Sequence, residues 1–222
     1  MKRFFLAVAS TSFAWQLLAA DNNVKIDNDH ARVLVVNSAP DAKSALHEHK
    51  MNRVMIYLDA GKIIIGDPNG KDETQNFKAG EMLWSPARGP HTSFNASGHA
   101  VRIVEIELKS KPGAASANAK KYPALDPVKV DPKRYKIELE NDQVRVTRAR
   151  YAPHEKGVTH EHLLDRVVTF ITDANLKVTT PEGETKMLKA SAGDVITGGP
   201  AKHIEENLSD KPFEVVVVEF KE

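Results

Sequence analysis

One octapeptide frame occurs twice in this chain. His47-Glu48-His49-Lys50-Met51-Asn52-Arg53-Val54 returns 113 positions later as His160-Glu161-His162-Leu163-Leu164-Asp165-Arg166-Val167. Upstream, at the same offset, Asn28-Asp29 matches Asn141-Asp142, Arg32-Val33 matches Arg145-Val146, Ala39-Pro40 matches Ala152-Pro153, and Lys43 matches Lys156. Such a duplication means that one structural unit is built twice. The period is too long for a solenoid, so each copy is expected to be a small domain of its own. The chain of 222 residues has room for two.

The first unit is expected over residues 24–109. Short apolar runs at Ala31–Val36, Val54–Leu58, Lys62–Ile65, Glu81–Trp84 and Val101–Leu108 read as strands. Turn signals such as Asp67-Pro68-Asn69-Gly70 separate them. The second unit, residues 135–221, repeats the pattern at Val144–Arg150, Val167–Ile171, Leu176–Thr180, Asp194–Ile196 and Phe213–Phe220. Sustained helical periodicity is absent, so the fold is all-β, a sandwich or barrel in each unit. Residues 110–134 carry Pro123, Pro127 and Pro132 behind a small-residue run and read as a linker that wraps the first unit. Val54–Leu58 and Phe213–Val218 are apolar on both faces. Strands of that kind are covered on both sides, so the units pack against each other or in a homodimer.

Bulk composition removes several functions. Lys plus Arg, 31, balances Asp plus Glu, 30, which leaves no basic footprint for nucleic acid. The chain has no cysteine, hence no disulfide, thiolate ligand or Cys nucleophile. Met1-Lys2-Arg3, followed by an uncharged, mostly apolar run to Ala20, has the layout of a secretory signal peptide over residues 1–20. The expected location is therefore periplasmic or extracellular, with no membrane span in the mature chain.

Alternation along a strand puts both histidines of His-x-His on one face, where they can give one metal two imidazoles. A third candidate follows in each unit, His91 and His203, each in a His-x-x-x-Asn run ending at Asn95 or Asn207.

With these motifs the chain resembles the cupin superfamily, and specifically a bicupin of two tandem jelly-roll β-barrels. The family's first motif appears as Pro40…His47-x-His49…Gly61 and Pro153…His160-x-His162. Its second appears as Gly80…Pro86-x-Arg88-x-x-His91-x3-Asn95, and in a shortened form after Gly193. The resemblance implies metal ligands His47, His49 and His91 in the first unit and His160, His162 and His203 in the second. Imidazoles suit Fe, Mn, Ni, Cu or Zn alike. Of the two motifs, the shortened one points to the second unit as the more easily emptied of metal.

Where the family usually has a Glu ligand, both units have Arg, Arg53 and Arg166. Arginine has no lone pair to give a metal. Three readings follow: a three-His site with an Arg that holds a substrate anion; an Arg neutralised by Glu105 or Glu219 of the last strand, as pairs Arg53–Glu105 and Arg166–Glu219; or a Glu105 or Glu219 that replaces the missing ligand. Asn95 and Asn207 are expected to orient the turn that holds the third histidine. The functional expectation is a metal-dependent enzyme, oxygenase-like, acting on a small organic molecule. The alternative is a non-catalytic bicupin for a small ligand or metal, with a cupin isomerase or lyase as a further option.

Overall fold

The computed structural model describes residues 21–113 and 122–221. The expected signal peptide and the middle of the linker lie outside them. The first barrel holds β1 (Asp21–Asp27), β2 (Ala31–Ser38), β3 (His47–His49), β4 (Arg53–Tyr57), β5 (Gly61–Gly66), β6 (Glu73–Phe77), β7 (Met82–Ser85), β8 (Arg88–Asn95) and β9 (Val101–Leu108). They form a sheet ordered β1-β2-β9-β4-β7 facing a sheet ordered β3-β8-β5-β6. A single helical turn, α1 (Pro127–Val130), follows. The second barrel then runs through β10 (Tyr135–Glu140), β11 (Val144–Tyr151), β12 (His160–His162), β13 (Arg166–Phe170), β14 (Ala174–Thr179), β15 (Thr185–Ala190), β16 (Val195–Gly198), β17 (Ala201–Asn207) and β18 (Phe213–Phe220). Its sheets, β10-β11-β18-β13-β16 and β12-β17-β14-β15, repeat the first topology strand for strand.

The doubly apolar strands are explained by how the barrels meet. Alternation splits β4 and β9 between two environments. Val54, Ile56, Val104 and Ile106 belong to one core with Val144, Val146, Val167, Val216 and Val218 of the other barrel. Met55, Tyr57 and Ile103 turn into the first barrel's own interior, and Phe170, Val215 and Val217 into the second's. The apolar outer faces that suggested a homodimer are thus covered within one chain. Asn52 Nδ2 donates to Gln143 Oε1 at 2.6 Å, and Arg148 Nη2 donates to the Gly80 carbonyl at 2.6 Å, across the same junction. Ile106 is fully buried in this shared core. Ile106→Ala is expected to cost about 2–5 kcal/mol in urea unfolding. The transition should stay single, because neither barrel can lose this layer alone.

The end of the expected linker does not wrap the first unit. Residues 122–134 are pinned to the second barrel. Asp126 caps α1 by accepting from Val128 N at 2.9 Å, and it pairs with buried Arg145 of β11 at 2.5 Å. Glu161 N donates to the Leu125 carbonyl at 2.8 Å, and the Arg134 guanidinium stacks 5.5 Å over Tyr151. Prolines here give a short capped turn rather than an extended strap.

Candidate metal centres

Each His-x-His strand lies beside the strand that carries the third histidine. His47 pairs with His91 across β3 and β8, and His160 with His203 across β12 and β17. The ligand-capable nitrogens of each trio lie within 4.8 Å of one another. In the first barrel His47 Nδ1 donates to the Ala45 carbonyl at 2.9 Å and His91 Nδ1 to the Gly89 carbonyl at 2.8 Å. In the second, His160 Nδ1 donates to the Val158 carbonyl at 3.1 Å and His162 Nδ1 to Glu219 Oε1 at 2.7 Å. Fixing Nδ1 as the donor leaves the Nε2 lone pair for the centre of the cluster. That donor set suits a divalent transition metal in either barrel.

The two clusters differ in burial and register. His47 and His49 are partly exposed and His91 is buried, while His160, His162 and His203 are 0%, 5% and 7% exposed. Burial pushes the pKa values of His91, His160 and His162 below the ordinary imidazole value, which favours the neutral, ligating form. In β8 one extra residue bulges between Arg88 and His91, so His49 faces Arg88. The second barrel lacks that residue, and His162 faces Ala201 in regular register.

This one-residue difference corrects the expected Arg–Glu equivalence. Strand register sets Glu107 opposite Arg53 and Arg32, and Glu219 opposite Arg166 and Arg145. Glu219 therefore corresponds to Glu107, and the counterpart of Glu105 is Val217. The first expected pair forms: Arg53 Nη1 donates to Glu105 Oε2 at 3.0 Å, and Arg53 Nη2 to Ser85 Oγ at 2.9 Å. Arg53 Nη1 also lies 2.7 Å from His49 Nε2. The second pair, Arg166–Glu219, does not form. Glu219 bonds His162, and Arg166 Nη1 donates instead to the Gly199 carbonyl. No carboxylate of the described residues lies within 4.0 Å of Arg166. The two groups that hold Arg53, Ser85 and Glu105, are replaced by Gly198 and Val217. Gly198 gives the guanidinium room, since a Cβ there would meet Arg166 Cζ at 3.0 Å.

Other expected roles also shift. Glu107, which the sequence did not single out, stands 3.7 Å from His49 Nδ1, as Glu219 stands beside His162. The His49 imidazole, against burial and with help from Arg32, lowers the Glu107 pKa. Asn95 and Asn207 touch no histidine. Asn95 Nδ2 donates to the carbonyls of Ser38, Ala39 and His99, and Asn207 Nδ2 to those of Ala152 and Lys211. They tie the far end of β8 or β17 to the loop before the His-x-His strand, not the turn ahead of the third histidine.

Glu205 is a fixed residue of neither sequence motif. It follows His203 by two residues on β17, so alternation sends both to the interior. Its Oε1 lies 2.8 Å from His203 Nε2 and its Oε2 3.4 Å from His160 Nε2. Tyr151 and Tyr135 hydroxyls donate to Oε2 at 3.1 and 3.3 Å. Burial opposes its charge, but His160 and His203 outweigh that and hold its pKa below the ordinary carboxylate range. The same position in the first barrel is Ser93.

Each cluster opens on a cavity inside its barrel. The first, about 240 Å³, is lined by His47, His49, His91, Arg53, Arg88, Glu73 and Trp84 among others. The second, about 190 Å³, is walled by Val168, Phe170, Leu176, Val178, Leu188 and Ile196, with Arg166, His162, His203 and Glu205 also lining it.

No protein-family model matches the chain. A stretch of 86 residues, 39% of this chain and 90% of the relative, is 33% identical to a β-alanine degradation protein, BauB, of Pseudomonas aeruginosa. Among solved structures, a cupin 2 conserved barrel domain protein from Leptotrichia buccalis superposes with a TM-score of 0.55 at 14% identity, over 94% of this chain and 92% of that one. An oxalate decarboxylase of Bacillus subtilis, described for its Mn(II) centres, gives a TM-score of 0.55 at 15% identity, over 91% and 75% of the two chains. Identities this low speak for the fold alone. With two jelly-roll barrels of identical topology, each carrying a His-x-His strand beside a third histidine, the chain belongs to the cupin superfamily as a bicupin.

Proposed function

We propose that the protein is an exported, metal-binding bicupin and a metal-dependent enzyme of the oxygenase type, acting on a small organic anion in the second barrel. The observation that carries this reading is Arg166. It is a buried guanidinium without a carboxylate partner, set in the wall of a mostly apolar cavity beside three convergent imidazoles. A cation in that setting gains most from an anionic ligand that brings its own charge into the barrel. The cavity accommodates a small aliphatic carboxylate, with its chain against Val168, Phe170 and Leu188. The P. aeruginosa relative is named for the breakdown of β-alanine, itself a small carboxylate.

A bound divalent metal would supply open coordination positions and Lewis acidity at the histidines. The chain's own residues do the rest. His162 is oriented by Glu219, Arg166 fixes the anionic end, and the apolar walls exclude water from the chain of the ligand. The first barrel supports a different reading. Arg53 is already satisfied by Glu105 and Ser85, which leaves it little capacity to grip a substrate, so that barrel is assigned a non-catalytic role. Export rests on the basic start and apolar run of residues 1–20. No helix of the described residues is long and apolar enough to cross a membrane.

The test is metal analysis of the untagged protein recovered from the periplasm, with intact-mass measurement of its N-terminus. A bound first-row metal, a chain that starts at Asp21, and oxygen uptake with one of a panel of small carboxylates are expected. A chain that takes up no metal after reconstitution with Fe, Mn, Ni, Cu and Zn would sink the metalloenzyme reading.

A further inference from the structure

We infer that the two histidine trios are not equivalent metal sites. The second barrel holds the tight site, with Glu205 as its fourth ligand, and the first is held weak by Arg53. This rests on the metal-binding reading above and adds the ligand set and the order of filling. It also reverses the expectation drawn from the shortened motif.

Two observations point the same way. In the second barrel Glu205 is at ligand-to-ligand distance from two of the three imidazoles, 2.8 Å from His203 Nε2 and 3.4 Å from His160 Nε2. Ligands sharing one metal at about 2.1 Å stand roughly 3 Å apart when their bonds are near right angles. Tyr135 and Tyr151 donate to Glu205 and orient it, as outer hydrogen bonds do for ligating carboxylates. The set becomes three imidazoles and one carboxylate. Its charge partly offsets a dication, and it is buried.

In the first barrel the corresponding residue is Ser93, and the charge near the cluster has the opposite sign. Arg53 Nη1 lies 2.7 Å from His49 Nε2, the lone pair a metal would need. Arg53 is fixed there by Glu105 and Ser85. A metal must displace this hydrogen bond and then sit beside a permanent cation. Arg166 is a cation beside its trio too, but it leaves the imidazole lone pairs free, because Gly198 and Val217 release it toward Gly199.

The experiment is Co²⁺ titration of the metal-free full-length mature protein against a chelator, with the visible d–d spectrum recorded. Wild type, Glu205→Gln, His162→Ala and His49→Ala are compared, and a thermal melt shows that each variant is folded. The first equivalent is expected to bind roughly 100-fold or more tighter than the second, to be lost in His162→Ala and to be kept in His49→Ala. Glu205→Gln should weaken it by about 10–100-fold and change the ligand-field spectrum, whereas a residue acting only on folding would leave the spectrum of the bound ion unchanged. A tight site lost in His49→Ala but kept in His162→Ala would overturn the order of filling. Glu205→Gln with unaltered affinity and spectrum would overturn the ligand assignment. Both of these results leave the metalloprotein reading standing. No binding in any form would overturn that reading along with this one. If Glu205→Gln does not fold, Glu205→Asp, which keeps the donor atom but shortens its reach, supplies the same comparison.

Discussion

Arg53→Met should destabilise the protein by about 3–5 kcal/mol in denaturant unfolding, because it strands a carboxylate inside the first barrel. The two side chains are only 7% and 15% exposed, and the guanidinium bonds Glu105 at 3.0 Å. Removing the cation leaves Glu105 without that partner, and Ser85 loses a donor as well. The double variant Arg53→Met with Glu105→Val should recover most of the loss. Val217 already occupies the equivalent place in the second barrel, so the fold accepts an apolar residue there. The difference between the double variant and the sum of the singles measures the coupling of the pair. Arg166→Met, at the same position of the repeat, should lower stability little or raise it. It removes a buried cation whose ionisation burial already disfavours and which no carboxylate neutralises at close range. Equal losses for Arg53→Met and Arg166→Met would contradict the register that separates the two arginines.

The contrast also marks how far the sequence could be read. Duplication, strand content and the six histidines are legible because the His-x-His pairs keep one 113-residue offset, each third histidine heads a His-x-x-x-Asn run, and period-two alternation needs no long-range knowledge. The partners of the arginines are not. Both last strands contain Val-Glu, so Glu105 and Glu219 look equivalent, but one residue lost between β7 and the third histidine moves the true offset to 112. The match to Glu219 then falls on Glu107. Glu205 was within reach, since a carboxylate two places after a ligand on a strand must share its face. It was hidden by the family pattern, which places the carboxylate in the other motif. The strands β6 and β15 show no apolar alternation, because most of their residues face solvent. Only their pairing to β5 and β14 reveals them.

Arg166→Met should abolish the grip on small carboxylates, with a loss of about 3 kcal/mol, or roughly 100-fold in affinity. The substitution removes a planar fork that can give a carboxylate two charge-assisted hydrogen bonds inside an apolar cavity, where water replaces them poorly. Calorimetric titration with an aliphatic series from butyrate to octanoate reads it directly. Affinity should rise with each methylene until the wall formed by Phe170, Leu176 and Leu188 is reached, then fall. Arg166→Lys keeps the charge without the fork and should retain part of the affinity. Metal content measured alongside separates the two roles of the pocket, because Arg166 touches no histidine. Carboxylate affinity lost with metal retained supports the assignment. Unchanged carboxylate affinity in Arg166→Met would remove the observation on which the substrate class rests, and the second barrel would then be a metal site with an apolar cavity and no anion selectivity.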